Sequence, residues 1–72
     1  MWVSKKNVLI VAGSDSVGGA GVQADIKSCE AFGCFSASVI TAVTAQNTNG
    51  VSSVLAMPAN RVKAQFEMVL AE

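Results

Sequence analysis

The chain has 72 residues, five basic and five acidic side chains, no His and a formal net charge of zero. By the hydrophobic count 51% of it is apolar and 14% is charged. That length allows one domain at most, and the missing imidazole excludes a Ser-His-Asp triad, a Cys-His pair and a histidine metal site within these residues.

Five basic side chains at zero net charge make no patch for a nucleic acid. Cys29 and Cys34 are spaced C-x4-C, which is neither a zinc nor a redox spacing, and two thiols make no disulfide framework. They read as small thiols in a reducing compartment. A domain of roughly 60 residues buries only about 60% of its unfolded surface. So apolar a composition leaves surface that a short chain does not hide, and a larger whole or a partner is expected.

Lys5 and Lys6 precede the apolar run Val8 to Ala12. The run is too short for the core of a signal peptide, and Asp15 follows almost at once. No charge occurs between Glu30 and Arg61, but Gly33, Ser36, Ser38, Thr41, Thr44, Gln46, Asn47, Asn49 and Gly50 interrupt that stretch. A membrane span needs about 20 consecutive apolar residues, so no membrane partner is expected.

Asn7 to Ala12 is a continuous, β-branched apolar run that ends in the turn signal Gly13-Ser14-Asp15. It predicts a strand buried on both faces, as in a parallel sheet. A Gly- and Ser-rich loop follows from Gly13 to Gly19. From Ala20 the period changes: Val22, Ile26 and Cys29 fall at i, i+4 and i+7, with Phe32 at i+10. That is an amphipathic helix, with Gly33 placed to end it in the left-handed conformation. Asp25 lies near its start, where the helix dipole favours a carboxylate.

Ala37 to Val43 is the second predicted strand, Thr44 to Gly50 a polar loop, and Val51 to Met57 a weaker third strand broken by Pro58. Asn60 is a candidate N-cap for a last helix. Val62, Phe66, Val69 and Leu70 form its apolar stripe, and it is still running at Glu72. Strand–helix–strand order predicts a right-handed crossover and a parallel sheet. Ligands then bind beyond the carboxyl ends of the strands, where the loops Gly13 to Gly19 and Thr44 to Gly50 lie.

Three readings compete for the glycine loop. Gly13 and Gly18 have the spacing of a phosphate-binding loop, but Gly19 and Ala20 stand where Lys and Ser or Thr are needed. That reading is rejected. Gly19-Ala20-Gly21-Val22-Gln23-Ala24 fits G-x-G-x-x-A, yet the loop before it is long and the second strand ends without an acid for a ribose hydroxyl. The third reading is close backbone approach: Gly18, Gly19 and Gly21 bring N–H groups and a helix N-terminus to a ligand. A sharp strand-to-helix turn explains the same glycines. In the polar loop, the Gln46 amide offers one acceptor and one donor group. Such a pair matches the ring nitrogen and exocyclic amine of an aminopyrimidine, but it also serves to tie down a loop.

Two long runs carry a resemblance. Ala12-Gly13-Ser14-Asp15-Ser16-Val17-Gly18-Gly19-Ala20-Gly21-Val22-Gln23-Ala24-Asp25-Ile26-Lys27 resembles the N-terminal signature of the hydroxymethylpyrimidine/phosphomethylpyrimidine kinases of thiamine biosynthesis. Ser38-Val39-Ile40-Thr41-Ala42-Val43-Thr44-Ala45-Gln46-Asn47-Thr48 resembles their second signature, at the same separation, and the Ala64-Gln65 helix resembles their next segment. Val17 departs from the pattern, where members usually carry Ser or Gly.

The resemblance implies an α/β fold, the N-terminal part of a ribokinase-like three-layer α/β/α arrangement with a mainly parallel central sheet. Residues 1–72 would be one incomplete domain on the substrate side. The implied activity is ATP-dependent phosphorylation of 4-amino-5-hydroxymethyl-2-methylpyrimidine and then of its monophosphate. The alternatives are a non-catalytic binding module and a pyridoxine- or pyridoxal-type vitamin kinase of the same superfamily.

The family's substrate contacts fall here on Gln46, Asp25, Gly13, Ala20 and Val43. No catalytic residue and no metal ligand is implied within the chain, and Asp15 and Asp25 are not assigned that role. ATP and Mg2+ would be bound mainly outside these residues, leaving the chain alone inactive. The complete enzyme is expected to be a cytoplasmic homo-oligomer acting on a small-molecule pyrimidine.

Overall fold

The computed structural model describes residues 6–71, so Lys5 and Glu72 lie outside it. Five elements follow in order: β1 (Asn7–Asp15), α1 (Gly21–Ala31), β2 (Phe35–Asn47), β3 (Gly50–Ala56) and α2 (Ala59–Leu70). They form one mixed sheet of order β1-β2-β3. β1 and β2 are parallel, with Asn7 opposite Phe35 and Val11 opposite Val39. β2 and β3 are antiparallel. The helix α1 packs on β1 and β2, and α2 packs on β2.

The strand–helix–strand unit is the one expected, but the strands run further than the sequence pattern predicts. β1 continues through Gly13-Ser14 to Asp15. β2 absorbs the predicted polar loop as far as Asn47, and Gly50 already opens β3. Only Thr48 and Asn49 remain as a tight turn, in which the Asn49 N–H donates to Asn47 Oδ1 at 2.8 Å. Polar residues read as a loop because a strand paired at an exposed end needs no apolar alternation.

The predicted cap at Asn60 is not made. The last helix begins two residues earlier than that cap implies, at Ala59 after Pro58, and no side chain caps it. Pro58 has the extended backbone that precedes a helix, and its carbonyl accepts from the N–H groups of Arg61 and Val62 at 2.9 and 3.1 Å. Helix α1 does end as predicted, with Gly33 at a φ of +70°. There the Gly33 N–H donates to the Glu30 carbonyl at 3.1 Å.

A bulge separates the two halves of β2. Ala12 faces Ile40, but Ser14 faces Val43, so Thr41 and Ala42 together oppose Gly13. The extra residue shifts the alternation of β2 by one. Beyond the bulge, Asp15 stands opposite Thr44.

The buried apolar core consists of Ile10, Val22 and Val39, among the described residues. Val11, Phe32, Val54, Leu55, Met68 and Leu70 are large apolar side chains left exposed. The excess of apolar surface expected from composition is therefore real. No helix among the described residues is long and apolar enough to cross a membrane.

Candidate functional site

Parallel pairing brings the carboxyl ends of β1 and β2 to the same edge. A small concavity of about 150 Å³ opens there, lined by Gly13, Ser14, Asp15, Ala20, Gly21, Thr44 and Gln46. Complete small-molecule pockets span roughly 300–1,000 Å³, so the concavity is smaller than such a pocket, and its lining residues are termed the wall.

The wall is held by side chains of the first strand and its loop. Asp15 is the one buried charged side chain among the described residues. Its Oδ1 accepts from the Val17 N–H at 3.1 Å, and its Oδ2 accepts from the Ala20 N–H at 2.9 Å. The Gly18 N–H donates to the Asp15 carbonyl at 3.0 Å. An Asp that bonds backbone N–H groups ahead of it fixes a turn. Here the turn delivers Ala20 to the mouth of α1.

Gln23 adds a second clamp. Its Oε1 accepts from the Asp15 N–H at 2.9 Å, and its Nε2 donates to Ser14 Oγ at 2.6 Å.

Gly21 answers the question left by the glycine loop. Its φ is +67°, and a Cβ there would lie 2.3 Å from the Gly13 carbonyl oxygen. The backbones of β1 and α1 meet at this point, where Ser14 and Gly21 form an isolated bridge. Gly21 is thus required by the chain's own close approach.

The second strand supplies the other half of the wall. Thr44 Oγ1 donates to the Ser14 carbonyl at 2.7 Å. Gln46 Nε2 in turn donates to Thr44 Oγ1 at 2.6 Å. The Ser16 hydroxyl donates to the Gln46 carbonyl and accepts from the Gln46 N–H at 2.8 Å. Both peptide groups of Gln46 are thereby fixed, and its Oε1 has no hydrogen-bond partner among the described residues.

Of the five residues singled out by the resemblance, Gly13, Ala20 and Gln46 meet in this concavity. Asp25 and Val43 do not. Alternation along β2 sends Val43 to the face opposite Thr44 and Gln46. It lines a groove of about 800 Å³ beside α2, with Ile40, Met57 and Met68. That groove is the larger of the two, but it is mainly apolar, and its Gln65 amide is already bonded to Ile40. Convergent polar groups mark the strand ends as the better site.

Asp25 is exposed on α1 and borders β1 beside Ser28 and Cys29. The helix runs back along the sheet at about 1.5 Å per residue, which draws its second turn away from the strand ends. Cys29 and Cys34 are free, half-buried thiols.

Sequence reasoning missed Ser14, Ser16, Gln23 and Thr44 as parts of the wall. All four are uncharged polar residues; Ser14 and Thr44 depend on strand register, while Ser16 and Gln23 act from the loop and from α1. Asp15 carried the one legible signal, an acid inside a Gly- and Ser-rich turn.

Residues 15–72 match the family described as phosphomethylpyrimidine kinase. The chain belongs to that family. It is 55% identical over 64 residues to the hydroxymethylpyrimidine/phosphomethylpyrimidine kinase of Rhizobium meliloti, covering 89% of this chain and 24% of that protein. The crystal structure of phosphomethylpyrimidine kinase from Clostridium difficile superposes with a TM-score of 0.90 at 50% identity, over 94% of this chain and 29% of that one.

Pyridoxal kinase from Staphylococcus aureus, solved with AMP-PCP and pyridoxal, gives a TM-score of 0.82 at 32% identity, over 94% of this chain and 26% of that one. The chain spans between 10% and 25% of the length of the curated relatives it matches. These likenesses bear out the family resemblance and the ribokinase-like α/β fold expected from the two signature runs.

Proposed function

We propose that these residues form the substrate-side wall of an ATP-dependent kinase. It phosphorylates the hydroxymethyl group of 4-amino-5-hydroxymethyl-2-methylpyrimidine and then its monophosphate. The observation that carries this reading is the meeting of Gly13, Ala20 and Gln46 in one concavity at the strand ends. The substrate contacts proposed are those three. Asp25 and Val43, which the resemblance also implies, line other surfaces, and the reading does not depend on them.

Phosphoryl transfer is mostly positioning and charge stabilisation. These residues supply positioning. The Gln46 amide grips the ring edge, while Gly13 and Ala20 let the backbone come close to the ring. In this reading the phosphoryl donor, its metal and the base that receives the hydroxyl proton are held mainly by residues outside this segment. The reading treats residues 1–72 as one part of a larger domain in a cytoplasmic, homo-oligomeric enzyme.

A second reading, a pyridoxal-type kinase, is favoured by the superposition on pyridoxal kinase. Steady-state kinetics of the full-length natural protein with each substrate, and with both in competition, separate the two. Preferential turnover of the pyrimidine supports the first reading. Preferential turnover of pyridoxal replaces it with the second.

A further inference from the structure

Thr44 stands between Ser14 and Gln46 and leaves the Gln46 amide one orientation. The Ser14 carbonyl can only accept, so the Thr44 hydroxyl hydrogen, 2.7 Å away by its oxygen, is committed to it. Thr44 Oγ1 then presents only lone pairs to the Gln46 amide, 2.6 Å away. Lone pairs accept from Nε2 and repel Oε1. The amide is oriented by the Ser14 backbone through one hydroxyl, and the two ends of the relay sit on different strands.

This orientation has a chemical consequence. Oε1 is left as an acceptor, and Nε2 keeps a second hydrogen as a donor. An aminopyrimidine edge offers the complement, an amine that donates beside a ring nitrogen that accepts. The matching pyrimidinone offers the reverse, a carbonyl that accepts beside a ring N–H that donates. An unrestrained glutamine binds either one by turning its amide over. We propose that Thr44 is a specificity-determining positioning residue, which locks the Gln46 amide so that the site takes a 4-aminopyrimidine and rejects its 4-oxo isostere. The proposal rests on the reading of Gln46 as the ring contact.

The test is calorimetric binding of the two heterocycles, without nucleotide, to the full-length natural protein and to its Thr44→Val, Thr44→Ser and Gln46→Ala variants. The readout is the ratio of the two dissociation constants. Thr44→Val is expected to lower the preference for the aminopyrimidine about tenfold, the scale of one hydrogen bond. Thr44→Ser keeps the hydroxyl and is expected to retain the wild-type ratio.

If Thr44→Val weakens both ligands equally, the ratio stands and the proposal is overturned, because damage to folding alone has that effect. If that happens while Gln46→Ala abolishes the preference, the relay fails and the ring contact survives. If Gln46→Ala leaves the ratio unchanged, Gln46 does not read the ring, and both readings fall.

Discussion

Gln65 holds both backbone groups of Ile40. The Ile40 N–H donates to Gln65 Oε1 at 2.8 Å, and Gln65 Nε2 donates to the Ile40 carbonyl at 2.8 Å. The reason lies in strand lengths. β3 pairs with β2 only from Ala42 onward, and the Met57 N–H bonds the Thr41 carbonyl just past its end. One residue further along β2, the ladder has no strand to meet. The side-chain amide of α2 takes the place of the missing strand.

Gln65→Ala leaves a half-buried N–H and carbonyl without partners, and an unpaired backbone group costs about 1–3 kcal/mol. A loss of that size in urea unfolding of the full-length protein is expected. Gln65→Glu keeps the acceptor but loses the donor, so its loss should be no smaller, since a carboxylate then faces the Ile40 carbonyl. Unchanged midpoints for both variants would show that α2 is held by its apolar stripe alone.

Gly21 and Gly33 share a positive φ but differ in surroundings. At Gly21 an added Cβ meets the Gly13 carbonyl oxygen at 2.3 Å, whereas at Gly33 nothing lies within 4 Å. The backbone conformation alone costs an alanine roughly 1–2 kcal/mol, and that is all Gly33→Ala should lose. Gly21→Ala also forces β1 and α1 apart, so it should lose more and should weaken substrate binding, because Gly13 lines the concavity. Equal losses for the two variants would rule out the backbone approach as the reason for glycine at this position.

The regular elements were legible because their cause is local. The β-branched run of β1 and the helical period of Val22, Ile26 and Cys29 are patterns within one element, although Val22 alone of the three is buried. What was not legible depends on register. Thr44 and Gln46 look like loop residues until the bulge at Thr41 and Ala42 pairs Thr44 with Asp15 at the end of β1, while Gln46 pairs with Val51 of β3. Val43 looks like their companion in sequence, yet strand alternation separates it from them. Asn60 has good capping chemistry, but Pro58 sets the start of α2 earlier. Gln46, Gly13 and Ala20 were found through resemblance to two whole signatures, a signal that no single residue carried.

Asp15 orders the stability of a variant series. Its two carboxylate oxygens each serve one N–H, those of Val17 and Ala20. Asp15→Asn retains a single acceptor oxygen and can serve one of them. Asp15→Ala serves neither and leaves a buried gap. Thermal melting of the full-length protein should therefore rank wild type above Asn and Asn above Ala, with Ala losing about 1–3 kcal/mol. The affinity for the pyrimidine should follow the same order, since Ala20 moves with the loop. Stability that falls while affinity stays constant would separate the turn from the binding wall.

The 72-residue chain produced alone should associate. β3 has β2 on one side and, among the described residues, no strand on the other. All seven of its residues are exposed, with Val51, Val54 and Leu55 at 57%, 63% and 66%. An apolar, unpaired edge pairs with other chains. Sedimentation of the isolated chain should show mass rising with concentration. Val54→Lys places a charge on that edge and should shift the distribution toward monomer. A sharply melting monomer at every concentration would mean that the three buried residues Ile10, Val22 and Val39 suffice to hold the sheet. The exposed strand would then be tolerated in water, and the same Val54→Lys change would have no effect on mass.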